Sequence, residues 1–220
     1  FHDTFSDIHK QHKLPILCGG TGFYIKAVLM DFHLPTIAPD NKLRQELENW
    51  KLEDLILQLE SISPGAAKNS TLETKRRVIR AIEVEMNRGE MKEEIRTPRA
   101  IIKNPIVLGV EYPREVIRKR ITTRLQKRMD QGMIQEVEIL LKSGITHERL
   151  ERFGLEYRFL SRYLLGQLTR EEMIEKLNTA IHQFAKRQMT FFRNMEKNGI
   201  RIFWIPEGNP QSAVDLIRLN

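Results

Sequence analysis

The sequence predicts an α/β protein: a parallel sheet, incomplete within these residues, flanked by helices. Three apolar runs, Leu14–Cys18, Ile106–Val110 and Ile200–Ile205, read as strands. Long stretches of helical periodicity separate them, and parallel neighbours need such crossovers. The first run ends in Gly19-Gly20-Thr21-Gly22 and passes straight into helical spacing at Phe23–Met30. Strand, glycine turn and helix form the repeating unit of this class.

Taken in order, residues 3–13 read as the end of a helix. Pro15 suits the first positions of a strand, where a missing N–H is tolerated. Residues 31–40, with Pro35 and Pro39, form a loop. Leu43, Leu47, Trp50, Leu52, Leu55, Ile56 and Leu59 predict one helix over 41–59. Ser63-Pro64 opens a short helix. Ser70 and Glu73 form a capping box before a helix over 74–87, with Ile79, Ile82 and Met86 facing a core and Gly89 as the stop. Residues 90–104, with Pro98, form a surface connection. Pro113 starts a long helix with Val116, Ile117, Ile121, Leu125 and Met129 on one face. A further helix follows over 133–141, and 146–154 reads as a short turn or helix. Thr169 and Glu172 make a second capping box, opening a helix that runs to about Asn198 and stops at Gly199. A final helix covers 211–219.

Hydrophobic residues make up 40% and charged residues 30% of the 220, a globular composition. No apolar run approaches the roughly 18–20 residues that span a bilayer. The single cysteine, Cys18, excludes an intrachain disulfide and a cysteine metal cluster, and its apolar setting predicts burial. Cysteine usage points to a reducing, cytoplasmic compartment. Phe1-His2-Asp3-Thr4 carries no initiator Met, so sequence upstream is expected. The net charge of +7 favours an anionic partner, nucleic acid first, although charge of this size also serves solubility.

Four segments bear on chemistry. The Gly19-Gly20-Thr21-Gly22 turn can offer backbone N–H groups to an anion at a helix start, with Gly19, Gly20 and Gly22 as candidate diphosphate contacts; an ordinary strand–helix turn reads the same way. It is no Walker loop, since no Lys-Ser/Thr follows. Between 75 and 84, Arg76 and Arg80 lie one helical turn apart and suit a phosphate clamp, or else a solvated face partnered by Glu73, Glu83 and Glu85. Arg114, Arg118, Lys119, Arg120, Arg124, Lys127 and Arg128 follow the second strand and can grip a diphosphate or an RNA backbone. Over 182–193, Lys186, Thr190 and Arg193 share one helical stripe; Gln183, Arg187 and Phe191 share the next. Cations and amides beside rings suit single-stranded RNA; a core helix burying Phe184, Met189 and Phe192 fits equally. The scattered histidines make no metal-ligand pair.

Pro15–Tyr24, Arg76–Val84 and Ala185–Arg193 together resemble the tRNA dimethylallyltransferases (isopentenyl-diphosphate:tRNA transferases) in order and approximate spacing. The resemblance implies a P-loop-kinase-like core formed by 1–30, 104–130 and 180–220. It also implies a helical region over 31–103 and a helical region over 131–179 that contributes to tRNA binding. It implies dimethylallyl diphosphate and the tRNA anticodon stem-loop as substrates, Mg²⁺ on the diphosphate, and a monomer. Carried over by position, Thr21 would contact the target nucleotide and Arg44 the RNA. Arg76, Arg77 and Arg80 would line the channel, and Lys186, Arg187, Gln188, Thr190 and Arg193 would hold the tRNA. Tyr157 and Arg158 belong to a segment where the family usually has Gly before the Tyr; here Glu156 stands there. The later Tyr163-Leu164-Leu165-Gly166 follows the family pattern. The phosphate loop and the acidic residue that activates the amine lie outside these 220 residues, so residues 1–220 alone are expected to be inactive. Rival readings are a P-loop-type small-molecule kinase and a non-catalytic RNA-binding module.

Overall fold

The computed structural model describes residues 1–30, 37–69, 72–87, 102 and 104–219. The chain divides into two compact units, one of 1–16 with 31–101 and one of 17–30 with 102–220.

In the first unit, α1 covers His2–Lys10 and buries no residue. The helix expected over 41–59 is two helices, α3 (Asn41–Glu48) and α4 (Leu52–Ile62). They break at Asn49-Trp50-Lys51, where Asn49 ends α3 and Trp50 remains 37% exposed. Asp40 caps α3, its carboxylate accepting from the N–H groups of Lys42 and Leu43 at 2.9 and 3.1 Å. α5 (Pro64–Asn69) and α6 (Lys75–Met86) complete the unit. Its core is Leu47, Leu55, Leu59, Ala67, Val78, Ile79 and Ile82. Met86, expected inside, is 55% exposed.

The expected capping box before α6 is not the start of the helix. Thr74 is the N-cap and makes no side-chain cap bond, while Glu73 pairs with Arg77 at 3.1 Å. Ser70, Pro35, Gly89 and most of the 90–104 connection lie outside the described residues.

In the second unit, α2 (Gly22–Leu29) follows the glycine turn. The sheet has two described strands, β1 (Leu108–Glu111) and β2 (Phe203–Pro206), paired in parallel with Leu108 opposite Phe203 and Glu111 opposite Pro206. The strand expected at Leu14–Cys18 does not form. A strand needs a neighbour for its backbone hydrogen bonds, and this run has none among the described residues. Ile16 is 80% exposed, and Cys18, expected buried, is exposed too.

Between the strands run α7 (Arg114–Asp130), α8 (Met133–Lys142), α9 (His147–Phe153), α10 (Leu155–Leu164) and α11 (Arg170–Lys197); α12 (Pro210–Leu219) follows β2. Left-handed Gly132, Gly144 and Gly199 sit at the helix ends, where a side chain would strain the backbone. Thr169 and Glu172 form the predicted capping box: each side chain accepts the other's backbone N–H, at 3.2 and 2.8 Å. The core, built of Leu125, Met129, Met133, Val137, Leu150, Leu160, Met173 and Leu177, is drawn from α7–α11. The Thr122 hydroxyl donates to the Asn178 side-chain oxygen at 3.1 Å, fixing α7 beside α11. At the far end of α11, Asn198 is the C-cap and Trp204 of β2 donates to Glu196 at 2.9 Å.

Candidate nucleic-acid interface

The second half of α11 carries an open cleft lined by Gln183, Lys186, Arg187, Thr190, Phe191 and Asn194. These positions recur at three- and four-residue intervals, so they share one broad face of the helix. Lys186, Arg187 and Thr190 are exposed, and Phe191 is half-buried at the edge of the face. The Thr190 hydroxyl donates back to the Lys186 carbonyl at 2.9 Å, which leaves its oxygen able to accept. Phe184 is 49% exposed, and Met189 and Phe192 are half-buried, so the segment is neither a sealed core helix nor a wholly solvated one.

The glycine turn lies against this stretch of α11. Gln188 donates its side-chain amide to the Gly20 carbonyl at 2.5 Å. A Cβ on Gly20 would strike that amide, and a Cβ on buried Gly22 would strike the Phe191 ring. Close approach of backbone to side chain therefore requires glycine at both positions. Thr21, between them, is exposed and caps no N–H with its hydroxyl. The turn and the cleft thus meet at Phe191, and cations, an amide and a ring stand together there.

The long basic run is the outer surface of α7. Arg114, Arg118, Lys119, Arg120, Arg124 and Lys127 are exposed. Arg120 stacks over the Tyr112 ring at 4.0 Å, and Arg128 pairs with Glu136 at 3.0 Å.

In the first unit, Glu83 organises the expected arginines. Its carboxylate is fully buried and accepts from the Asp40 N–H at 2.6 Å and from two nitrogens of Arg44 at 2.9 and 2.8 Å. Arg80 also donates to it, and gives a second nitrogen to the Ile37 carbonyl at 2.8 Å. Burial pushes the Glu83 carboxyl up, but the hydrogen bonds from Arg44, Arg80 and Asp40 outweigh it and bring it down to about 2. Arg44 and Arg80 are thus committed to a buried anion. Arg76 and Arg77 face outward from α6.

The model of the IPP transferase family matches residues 1–195. The chain belongs to the IPP transferase family. It is 42% identical over 205 residues to tRNA dimethylallyltransferase 2 of Syntrophotalea carbinolica, an alignment covering 93% of this chain and 68% of that one. It is 45% identical over 206 residues to tRNA dimethylallyltransferase 2 of Porphyromonas gingivalis, covering 93% and 67%. The full-length tRNA isopentenylpyrophosphate transferase of Bacillus halodurans superposes with a TM-score of 0.61 at 29% identity, over 99% of this chain and 69% of that one. A eukaryotic dimethylallyltransferase acting on tRNA shares the fold at a TM-score of 0.68 and 19% identity, over 95% and 55%. These likenesses place the chain in the α/β, P-loop-kinase-like class with a large helical portion, as part of an enzyme.

Within the family frame, Tyr157 and Arg158 are bound into the helical part of their own unit. Tyr157 donates to Glu136 at 2.6 Å, and this bond and burial both raise its pKa. Arg158 donates to the Glu151 carbonyl at 3.2 and 3.3 Å, and its neighbour Arg162 grips the Glu151 carboxylate at 2.7 and 3.1 Å. Glu156 sits in the first turn of α10 without a positive φ, so the family's glycine is not needed there for backbone freedom. Gly154, two residues earlier, holds the positive φ of 139°.

Sequence reasoning missed the Glu83 nest as an organising centre and Phe191 as the ring that fits Gly22. The signals were present: a Glu at the buried spacing of α6, and a glycine at a helix start opposite an aromatic. No group of three or more His, Cys, Asp or Glu side chains comes together among the described residues. Mg²⁺ on a diphosphate is commonly held by one or two carboxylates together with the phosphates and waters, and no step is routed through the ion here. No helix among them is long and apolar enough to cross a membrane.

Proposed function

We propose that this chain serves dimethylallyl transfer to tRNA: from dimethylallyl diphosphate to the exocyclic amine of the adenosine adjacent to the anticodon. The observation that carries the reading is the junction of the α11 cleft with the clamped Gly20–Gly22 turn. Exposed Lys186 and Arg187 suit RNA phosphates, Phe191 offers a ring face, and Thr21 keeps an uncommitted hydroxyl. Exposed Arg193, further along the same helix, adds a cation for the same polyanion.

In the reaction, the amine nitrogen bonds to the allylic carbon while the carbon–oxygen bond to diphosphate breaks. The diphosphate leaves with the electron pair and the amine loses a proton. The adenine leaves its stack to be reached, at a cost of a few kcal/mol that stacking and hydrogen bonds offset. Residues 1–220 carry no Gly-Lys phosphate loop and by themselves are proposed to bind RNA without turnover. The protein acts as a monomer in the cytoplasm.

The test uses the full-length protein with radiolabelled dimethylallyl diphosphate and an anticodon stem-loop. Label should enter the RNA, and should not when the target adenosine is replaced by purine riboside, which lacks the amine. Phosphoryl transfer to a small molecule without tRNA would establish the kinase reading instead. RNA binding with no transfer would establish the RNA-binding module.

A further inference from the structure

Gln188 stands apart from the residues around it. It lies 11 residues after Leu177 and seven before Met195, so the three share one helical stripe. Leu177 and Met195 are fully buried. The cleft is lined from the neighbouring face, and Gln188 is not among its residues. Gln188 itself is half-buried, and its partner is the Gly20 carbonyl at 2.5 Å. A carbonyl only accepts, so the Gln188 amide must donate.

Three residues further along α11, Phe191 fills the space that a side chain on Gly22 would take. The two glycines flanking Thr21 are therefore each fitted to a different side chain of one helix. Gly19, by contrast, has open space around its Cβ position. The restraint begins at Gly20 and ends at Gly22, with Thr21 inside it. Threonine at an N-cap ordinarily accepts from the first-turn N–H groups. Here it makes no such bond, and its hydroxyl stays available.

From this we infer that Gln188 is a positioning residue for the transfer reaction: it acts through the Gly20 carbonyl, holding the Thr21 turn in register with the α11 cleft, and does not itself grip the RNA. The inference rests on the proposed tRNA reading. Misplacing a reacting group by about 1 Å costs on the order of 100-fold in rate, so a released turn should be felt in turnover rather than in binding.

The test compares wild type, Gln188→Glu, Gln188→Ala and Gln188→Lys in the full-length protein. Glutamate keeps the shape but cannot donate when ionised; lysine restores a donor. Three readouts are taken: kcat and KM for an anticodon stem-loop, melting temperature, and amide hydrogen exchange of the peptide containing Gly19–Tyr24. For Gln188→Glu, kcat should fall roughly 30- to 100-fold with KM changed less than about threefold. Exchange across the turn should accelerate, and Gln188→Lys should recover part of both. If Gln188→Glu fails to fold, Gln188→Ala and Gln188→Lys carry the comparison. A tenfold rise in KM with kcat and turn exchange unchanged would mean that Gln188 meets the RNA directly, and would overturn the inference. Unchanged kcat with unchanged exchange would overturn it as well. If wild type transfers nothing to RNA, the tRNA reading fails, and the exchange data alone still decide whether Gln188 holds the turn.

Discussion

The Trp204 indole lies over Gly109: a Cβ built on that glycine would come within 2.7 Å of two ring carbons and 2.8 Å of an Ile202 methyl. Gly109 pairs directly with Trp204 in the β1–β2 register. The indole N–H is held by Glu196 at 2.9 Å, so the ring cannot easily swing aside. Gly109→Ala is expected to cost about 1–3 kcal/mol through overpacking, read as a lowered melting temperature. Pairing it with Trp204→Leu should recover part of the loss. Equal stability of wild type and Gly109→Ala would mean that the ring moves freely.

Glu83 sets a pH dependence with a defined sign. Its folded pKa, about 2, lies below its ordinary value of 4.5. The stability it contributes is therefore present above about 4.5 and is lost as pH falls toward about 2. The contribution is on the order of 3 kcal/mol. Urea midpoints of wild type and Glu83→Gln should differ most above pH ~5 and converge only as pH falls to about 2 and below. A gap between the two that is independent of pH would show that the carboxylate charge is not the source.

Gly22 and Phe191 should behave as a coupled pair. Gly22→Ala forces the ring or the helix start to shift, at about 1–3 kcal/mol. Phe191→Ala makes room but removes the ring. The double variant should be more stable than the sum of the two single losses predicts, by about 1 kcal/mol or more in a double-mutant cycle. Additive losses would mean that the two positions do not touch in solution.

The exposed cations of α7 should act on RNA without regard to its sequence. Lys119→Gln and Lys127→Gln should each weaken binding about equally for any loop sequence. Each should lower the slope of log K against log salt by roughly 0.7–0.9. An unchanged slope would assign these side chains to solvation.

Much of the helical fold was legible because its signals are local. The Thr169–Glu172 box, Pro113 and the glycines at 144 and 199 mark helix boundaries by short-range chemistry. The strands near 108 and 203 were legible from apolar runs. Leu14–Cys18 misled because an apolar run reports a tendency, while a strand also needs a partner edge. The break at Asn49–Lys51 was hidden because helical periodicity persists across it. At the site, the α11 stripes followed from spacing alone. The commitment of Arg44 and Arg80 did not: Glu83 stands 39 and three residues from them, and only folding shows which carboxylate claims which guanidinium.

The 28 residues of α11 make a strut of about 42 Å at 1.5 Å per residue. Its first turns are embedded among Met173 and Leu177, and its last turn is fastened to Trp204. A beam pinned at both ends bows little at midspan, where Lys186, Arg187 and Thr190 stand. Any adjustment to a guest of different girth must therefore fall to side-chain rotamers, and the helix itself works as a fixed gauge.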